Sequence, residues 1–301
     1  MKCLMKTPFE HPALRTGGTD LPVLLPAAQR LQQQAERDRL VGGFLPRLTA
    51  KHGLWLLAIL ILSSGVAAAQ SGDARQPAYE VIFKWLPVLL TGFGFNILIS
   101  FMAMAIGTLV GTSLGLMQIS LLLPVRQGSW LVTQFFRNAP WLVLLFYCMF
   151  LLPFEFRLGG LVIPFPDWIK ATIGLALPVM ANVSEIVRGA IASIPSGQWE
   201  ASESLAFSRR QTLWQIILPQ CVKRMLPPWM NLYAILTMAT VLASIVGVSE
   251  MMTQAGRVLA AEDRPDLLIP IYSFVLLCFF VYCYPIARFT VRLEQRFQVK
   301  L

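Results

Sequence analysis

The run from Trp85 to Ser120 is almost wholly apolar and longer than one bilayer crossing requires. About 20 helical residues already cover a hydrocarbon core of ~30 Å. The excess length implies a helix that tilts, kinks or begins at the interface. Apolar runs of spanning length follow at about 130–152, 171–194, 229–248 and 268–287, and a shorter one precedes at about 55–69. With 56% hydrophobic and 14% charged residues, the chain departs from a soluble domain, which is nearer half apolar and a quarter charged. The expected fold is an all-α, polytopic membrane helix bundle. Gly92, Gly94, Gly107, Gly111 and Gly115 recur at spacings that let helices approach closely.

The net charge of +9 invites a nucleic-acid reading. The basic residues, however, are not clustered with stacking aromatics, so no nucleic-acid partner is expected. Their placement reports topology instead. With the N-terminus inside, nineteen of the 25 Lys and Arg fall on inner segments and six on outer ones. This positive-inside bias puts both termini, and the segment around Gly197 to Pro219, in the cytoplasm. Five cysteines are scattered without metal-ligand spacing, and no metal site is expected. His11 and His52 lie outside every span, which excludes a histidine relay within the membrane.

Residues 1–53 read as a cytoplasmic tail with eight Lys or Arg, and 54–70 as an additional, uncleaved membrane helix in preference to a late signal anchor. No internal repeat is evident. Six spans without one are too few and too asymmetric for a typical secondary transporter and suit half of a dimeric pore.

The polar, amphipathic stretch GQWEASESLAFSRRQTLWQIILP lies between two spans. Its spacing is E-A-A, three residues, Gly, nine residues, I-x-L-P, with Glu200, Ala201 and Ser202 as the triplet. Ala206 stands at the Gly position, and Ile216, Leu218 and Pro219 close the pattern. This resembles the ATPase-docking loop of the permease subunits of bacterial ATP-binding-cassette (ABC) importers. The likeness extends over about residues 80–297 and is similar to the histidine/glutamine branch, which handles polar amino acids. FFRNAPWLVLLFYCMFLLP resembles that branch's aromatic-Arg-Gly-Thr-Pro stretch, matching at Arg137 and Pro140 but not at Asn138 and Ala139. ANVSEIVRGAIASIPSGQWEAS resembles a second tract, matching at Glu185, Arg188, Gly189, Ile191, Pro195, Gly197 and Gln198.

The resemblance implies a type I ABC importer permease fold, with five core transmembrane helices plus the extra N-terminal one. It implies a cytoplasmic coupling loop at 195–224 in which Gly197, Gln198, Glu200, Ala201, Ser202, Glu203, Ala206, Ile216, Leu218 and Pro219 meet the ATPase. The partners implied are two copies of that ATPase, a second permease and a periplasmic substrate-binding protein, in the bacterial inner membrane. No GxxxxGK[ST] loop occurs, so ATP and Mg belong to the partner and this chain binds no cofactor. No nucleophile–base pair is present either, so no catalytic residue is assigned.

The family's glycine turns the chain with positive φ at no cost. Ala206 does so less cheaply, so the loop is expected to turn differently or to keep a negative φ. Glu185 and Arg188, three apart on a helix, can pair; with Arg137 they are read as bracing the loop. Relatives carry K-D/N-T-S-L midway along span five, where Met238, Ala239, Thr240, Val241 and Leu242 stand here. Only the threonine remains, so this chain is expected to add little charge to a substrate path, and a different partner permease is expected to supply it. Asn96, Ser100, Asn182, Ser184 and Thr240 are the candidate path residues, each read first as glue between helices. The competing functions are a membrane-embedded enzyme, opposed by the lack of clustered His, Asp or Cys in spans, and an ion-coupled secondary carrier, opposed by the lack of an acidic residue at mid-bilayer.

Overall fold

A computed structural model describes residues 76–158 and 161–297; the expected tail at 1–53 and extra helix at 54–70 lie outside the described residues. The described chain is helical apart from one hairpin. Helix α1 spans Ala78–Gln118, α2 Leu123–Asn138 and α3 Trp141–Leu151. Strands β1 (Glu155–Leu158) and β2 (Leu161–Pro164) pair antiparallel. Helix α4 covers Asp167–Ala192 and α5 Ser196–Ser204. A long rod, α6, runs through Arg209–Ser244, and α7 (Met251–Glu262) and α8 (Leu268–Phe297) complete the chain. Helices α1, α4 and α6, and the segment Pro265–Arg296 that covers nearly all of α8, are long and apolar enough to cross a membrane.

Helix α1 has 41 residues, roughly 60 Å at 1.5 Å per residue. Its contact with α4 is built on three glycines one turn apart. A methyl at Gly107 would lie 2.5 Å from Val179 Cγ1, one at Gly111 2.5 Å from the Met180 carbonyl oxygen, and one at Gly115 2.7 Å from Val187 Cβ. No real carbon tolerates such contacts, so the two backbones are in direct apposition and dispersion replaces the side chains that would separate them. Val179, Val183 and Val187 on α4 fill the resulting groove and are fully buried. Gly92 makes a similar approach to Met251 of α7, whereas Gly94 has open space around it.

The expected span at 130–152 is in fact two helices. Pro140 carries no N–H and forces the preceding residue out of helical conformation; Ala139 accordingly sits at φ −75°, ψ 137°. Helix α3, with 11 residues, is too short to span by itself. The expected span at 229–248 is also interrupted. Helix α6 tightens into a 3-10 turn at Thr240–Ser244, Gly247 takes φ +89°, and the chain re-enters helix as α7. The segment after it, expected to be an outer loop, therefore contains a helix whose end is tied to the start of α1. There Glu262 accepts hydrogen bonds from Lys84 Nζ and Trp85 Nε1, both at 2.7 Å. Lys170, one of the six basic residues assigned to the outer side, is fully buried in the first turn of α4, 3.2 Å from Asp167 and 3.5 Å above the Phe154 ring.

Candidate functional site

Helix α5 leaves the end of α4 at Pro195 and stops at Leu205. Two capping devices make the turn that follows. The Ala206 amide donates to the Glu203 carbonyl at 2.9 Å and the Phe207 amide to the Ser202 carbonyl at 3.1 Å, a Schellman pair that needs a left-handed residue between them. Ala206 supplies it at φ +57°. The expectation of a different turn or a negative φ is therefore overturned: the paired carbonyls fix the geometry, and alanine adopts what glycine would adopt more cheaply. Ser208 then opens α6 with a reciprocal capping box to Gln211.

The loop is anchored on one side and open on the other. Ser202 is buried, its hydroxyl donating to the Gln198 carbonyl, and Ile217 and Ile194 enter the main core. Ile216 and Leu218 pack against that core. Gln220 Nε2 reaches both Gln198 Oε1 (3.3 Å) and the Ile216 carbonyl (2.9 Å). Gly197, Gln198, Glu200, Ala201, Glu203, Ala206 and Pro219 are exposed. So are two apolar side chains that the sequence reading passed over, Leu205 (72%) and Trp214 (58%). Both lie at variable positions inside the motif, and spacing alone gave no reason to single them out.

Glu185 receives Arg188 at 2.6 and 3.2 Å and Arg137 at 3.4 Å. One carboxylate thus joins the end of α2 to α4. A second tether lies beside it: Arg224 Nη1 donates to the Ser193 carbonyl (2.6 Å) and hydroxyl (2.9 Å). This ties α6 to the C-cap of α4, where the loop departs.

The five candidate path residues separate. Asn96, Ser100, Ser184 and Thr240 are fully buried and bonded within the protein. Ser184 meets Gln118 Nε2 (2.7 Å) and the Thr133 hydroxyl (3.1 Å); Ser100 donates to the Ile97 carbonyl. Asn96 donates to Thr240 Oγ1 (3.0 Å) and Glu250 Oε2 (2.9 Å), and its Oδ1 accepts the Met251 amide (3.0 Å). Glu250 Oε1 in turn caps α7 through the Thr253 amide at 2.8 Å. An acidic side chain therefore sits deep inside the bundle, fully buried against Asn96 about halfway along α1. Apolar-run counting placed Glu250 in a loop because the break after α6 was invisible to it. The carboxylate's role here is to satisfy the amides of an interrupted helix.

Asn182 has a different setting. It lines a cavity of about 550 Å³ between α4 and α6, together with Arg137, Glu185, Ser193, Arg224 and Asn231. A second cavity, about 620 Å³, lies between α6, α7 and α8 and is apolar, with Met238, Val241 and Phe279 among its walls. The apolar character expected for span five is found on this second wall.

Residues 124–299 match the family described as "Binding-protein-dependent transport system inner membrane component". The chain is 34% identical to the probable amino-acid ABC transporter permease protein YckA of Bacillus subtilis (strain 168), over 72% of this chain and 92% of that protein. It is 30% identical to the L-cystine transport system permease protein TcyB of the same organism, over 70% and 86%. The glutamine transport system permease protein GlnP of Escherichia coli (strain K12) is 27% identical over 73% and 98%. Among solved structures, an amino acid ABC transporter crystallised with histidines superposes with a TM-score of 0.61 at 24% identity, covering 71% of this chain and 96% of that one. The MetNI methionine ABC transporter, inward facing, gives 0.56 at 14% identity, covering 72% and 99%.

Proposed function

Because the chain belongs to the family of binding-protein-dependent transport system inner membrane components, we propose that it is the pore-forming permease subunit of an ABC importer for amino acids. The observation that carries this is the α5 loop. It has the family's docking spacing, its turn is fixed by caps, Arg224 ties it to Ser193 at the end of α4, and it leaves Glu200, Ala201, Leu205 and Trp214 exposed for a partner. The substrate class is supported by the relatives' names, which include glutamine and cystine permeases.

In this reading a separate ATPase, present in two copies, binds ATP and Mg and grips the loop from the cytoplasm. ATP closes the ATPase pair and the loops move together. The rigid links from loop to α4 and α6 carry that motion into the bundle, alternating access between the two faces. The cycle requires ATP to bind the two states with different affinity. A periplasmic binding protein delivers the solute to the outer mouth. The termini are cytoplasmic in the bacterial inner membrane. The pore is a heterodimer, in which a second permease supplies the partners a zwitterion needs at the level of the apolar wall around Met238, where this chain offers no charged side chain among the described residues. Of residues 80–297, 195–224 form the coupling loop. Co-purification of the tagged chain with an ATPase, and uptake of amino acids by the reconstituted assembly, test the proposal. Absence of any ATPase partner would defeat it, and full uptake without a second permease would defeat the heterodimer alone.

A further inference from the structure

We infer that the cavity between α4 and α6 is a subsite for the carboxylate of the transported amino acid on its way to the cytoplasm. The inference rests on the importer reading and deepens it. Two guanidiniums, Arg137 and Arg224, and one carboxylate, Glu185, line the cavity, and Arg188 pairs with that carboxylate from beside it. Glu185 already pairs with both Arg188 and Arg137, leaving the group net positive, and Arg224 adds a further cation. Among the described residues, Arg224 bonds only through Nη1 and Arg137 touches only Glu185, so both keep unpaired N–H groups. The Asn231 side chain makes no hydrogen bond, and Asn182 uses only its Nδ2, on the Pro178 carbonyl. Such an arrangement favours a small anionic oxygen group over a cation. Arg forks suit a carboxylate, and the free amide oxygens and Glu185 accept the ammonium of the same molecule. The volume of about 550 Å³ accommodates an amino acid with its water. Because Arg224 also holds Ser193 at the root of the coupling loop, the solute's exit and the loop's anchorage share one side chain.

The test uses the permease–ATPase complex, nucleotide-free and without binding protein, in phosphatidylcholine nanodiscs. The twenty standard L-amino acids and L-cystine are first assayed for uptake by the complete transporter. One that is taken up becomes the labelled probe, with its decarboxylated amine as competitor. Saturable binding is expected, weakened at least tenfold by Arg224→Gln and by Arg137→Gln, unaffected by Lys84→Gln at the far end of α1, and not displaced by the amine. Arg137→Gln leaves the Arg224–Ser193 tether intact, and ATPase co-purification checks that each variant is folded. Wild-type affinity in both arginine variants, equal competition by the amine, or no saturable binding despite uptake would overturn the subsite while leaving the importer reading standing. Loss of probe binding on adding phosphatidylglycerol would assign the cavity to lipid headgroups instead. No uptake of any tested amino acid would remove both.

Discussion

The α1–α4 contact and the α5 loop are neighbours along α4, yet they are held by opposite means. The contact has almost no polar chemistry in its glycine stripe; backbone lies on backbone, and shape alone decides. The loop is a chain of specific hydrogen bonds, with Ala206, Ser208, Gln220 and Arg224 each fixing one turn or one junction. A packed contact between glycines fails all at once when an atom is added. A capped loop loses one bond at a time, and its exposed side chains can change without touching the fold.

The sharpest way to break the comparison is to add bulk to the stripe. Gly111→Leu places side-chain atoms where the Met180 carbonyl oxygen and Val183 already sit, and overpacking costs about 1–3 kcal/mol or more. The expected outcome is loss of monodisperse protein in detergent, and a normal elution profile with unchanged thermal midpoint would contradict it. Next, Glu200→Arg and Ala201→Asp should leave that profile and midpoint unchanged while ATPase co-purification and coupled hydrolysis fall at least tenfold; both substitutions fall on exposed positions of the loop. Destabilised protein with normal coupling would mean the loop belongs to the packed class after all.

Glu250→Ala lies between the two extremes. It removes the acceptor for the Thr253 amide and for Asn96 Nδ2. Buried donors left unpaired cost about 1–3 kcal/mol each, so a clear drop in thermal midpoint is expected, with Glu250→Gln restoring part of it. The smallest effect is expected at Ala206→Gly. Relief of a left-handed alanine is worth about 1 kcal/mol, visible as slower local hydrogen exchange at the Phe207 amide and no change in transport.

The legibility of these features in the sequence follows the same division. The apolar runs, the charge asymmetry and the loop motif are sums or spacings along the chain, so they could be read directly. The Glu185–Arg188 pair could be read because the residues lie three apart on one helix. Ala139 could have signalled the break in span three, since the residue before a proline avoids helix, but hydropathy averaged over it. Thr240 was legible as a polar remnant, but its partner was not: Asn96 is 144 positions away and Glu250 is 154 from Asn96.

The sequence by itself determined the membrane class, the spacing of the motif over 200–219 and the family. Tertiary structure alone decided that Asn96, Ser100, Ser184 and Thr240 face the interior, that Ala206 adopts a glycine's conformation, and that Arg224 and Asn182 share a cavity. The physical reason is range. Hydropathy and helical spacing act within a few turns of chain. A buried polar group, by contrast, takes whichever donor or acceptor the packed helices bring within about 3 Å of it, and that packing is set here by glycines that contribute no side chain of their own.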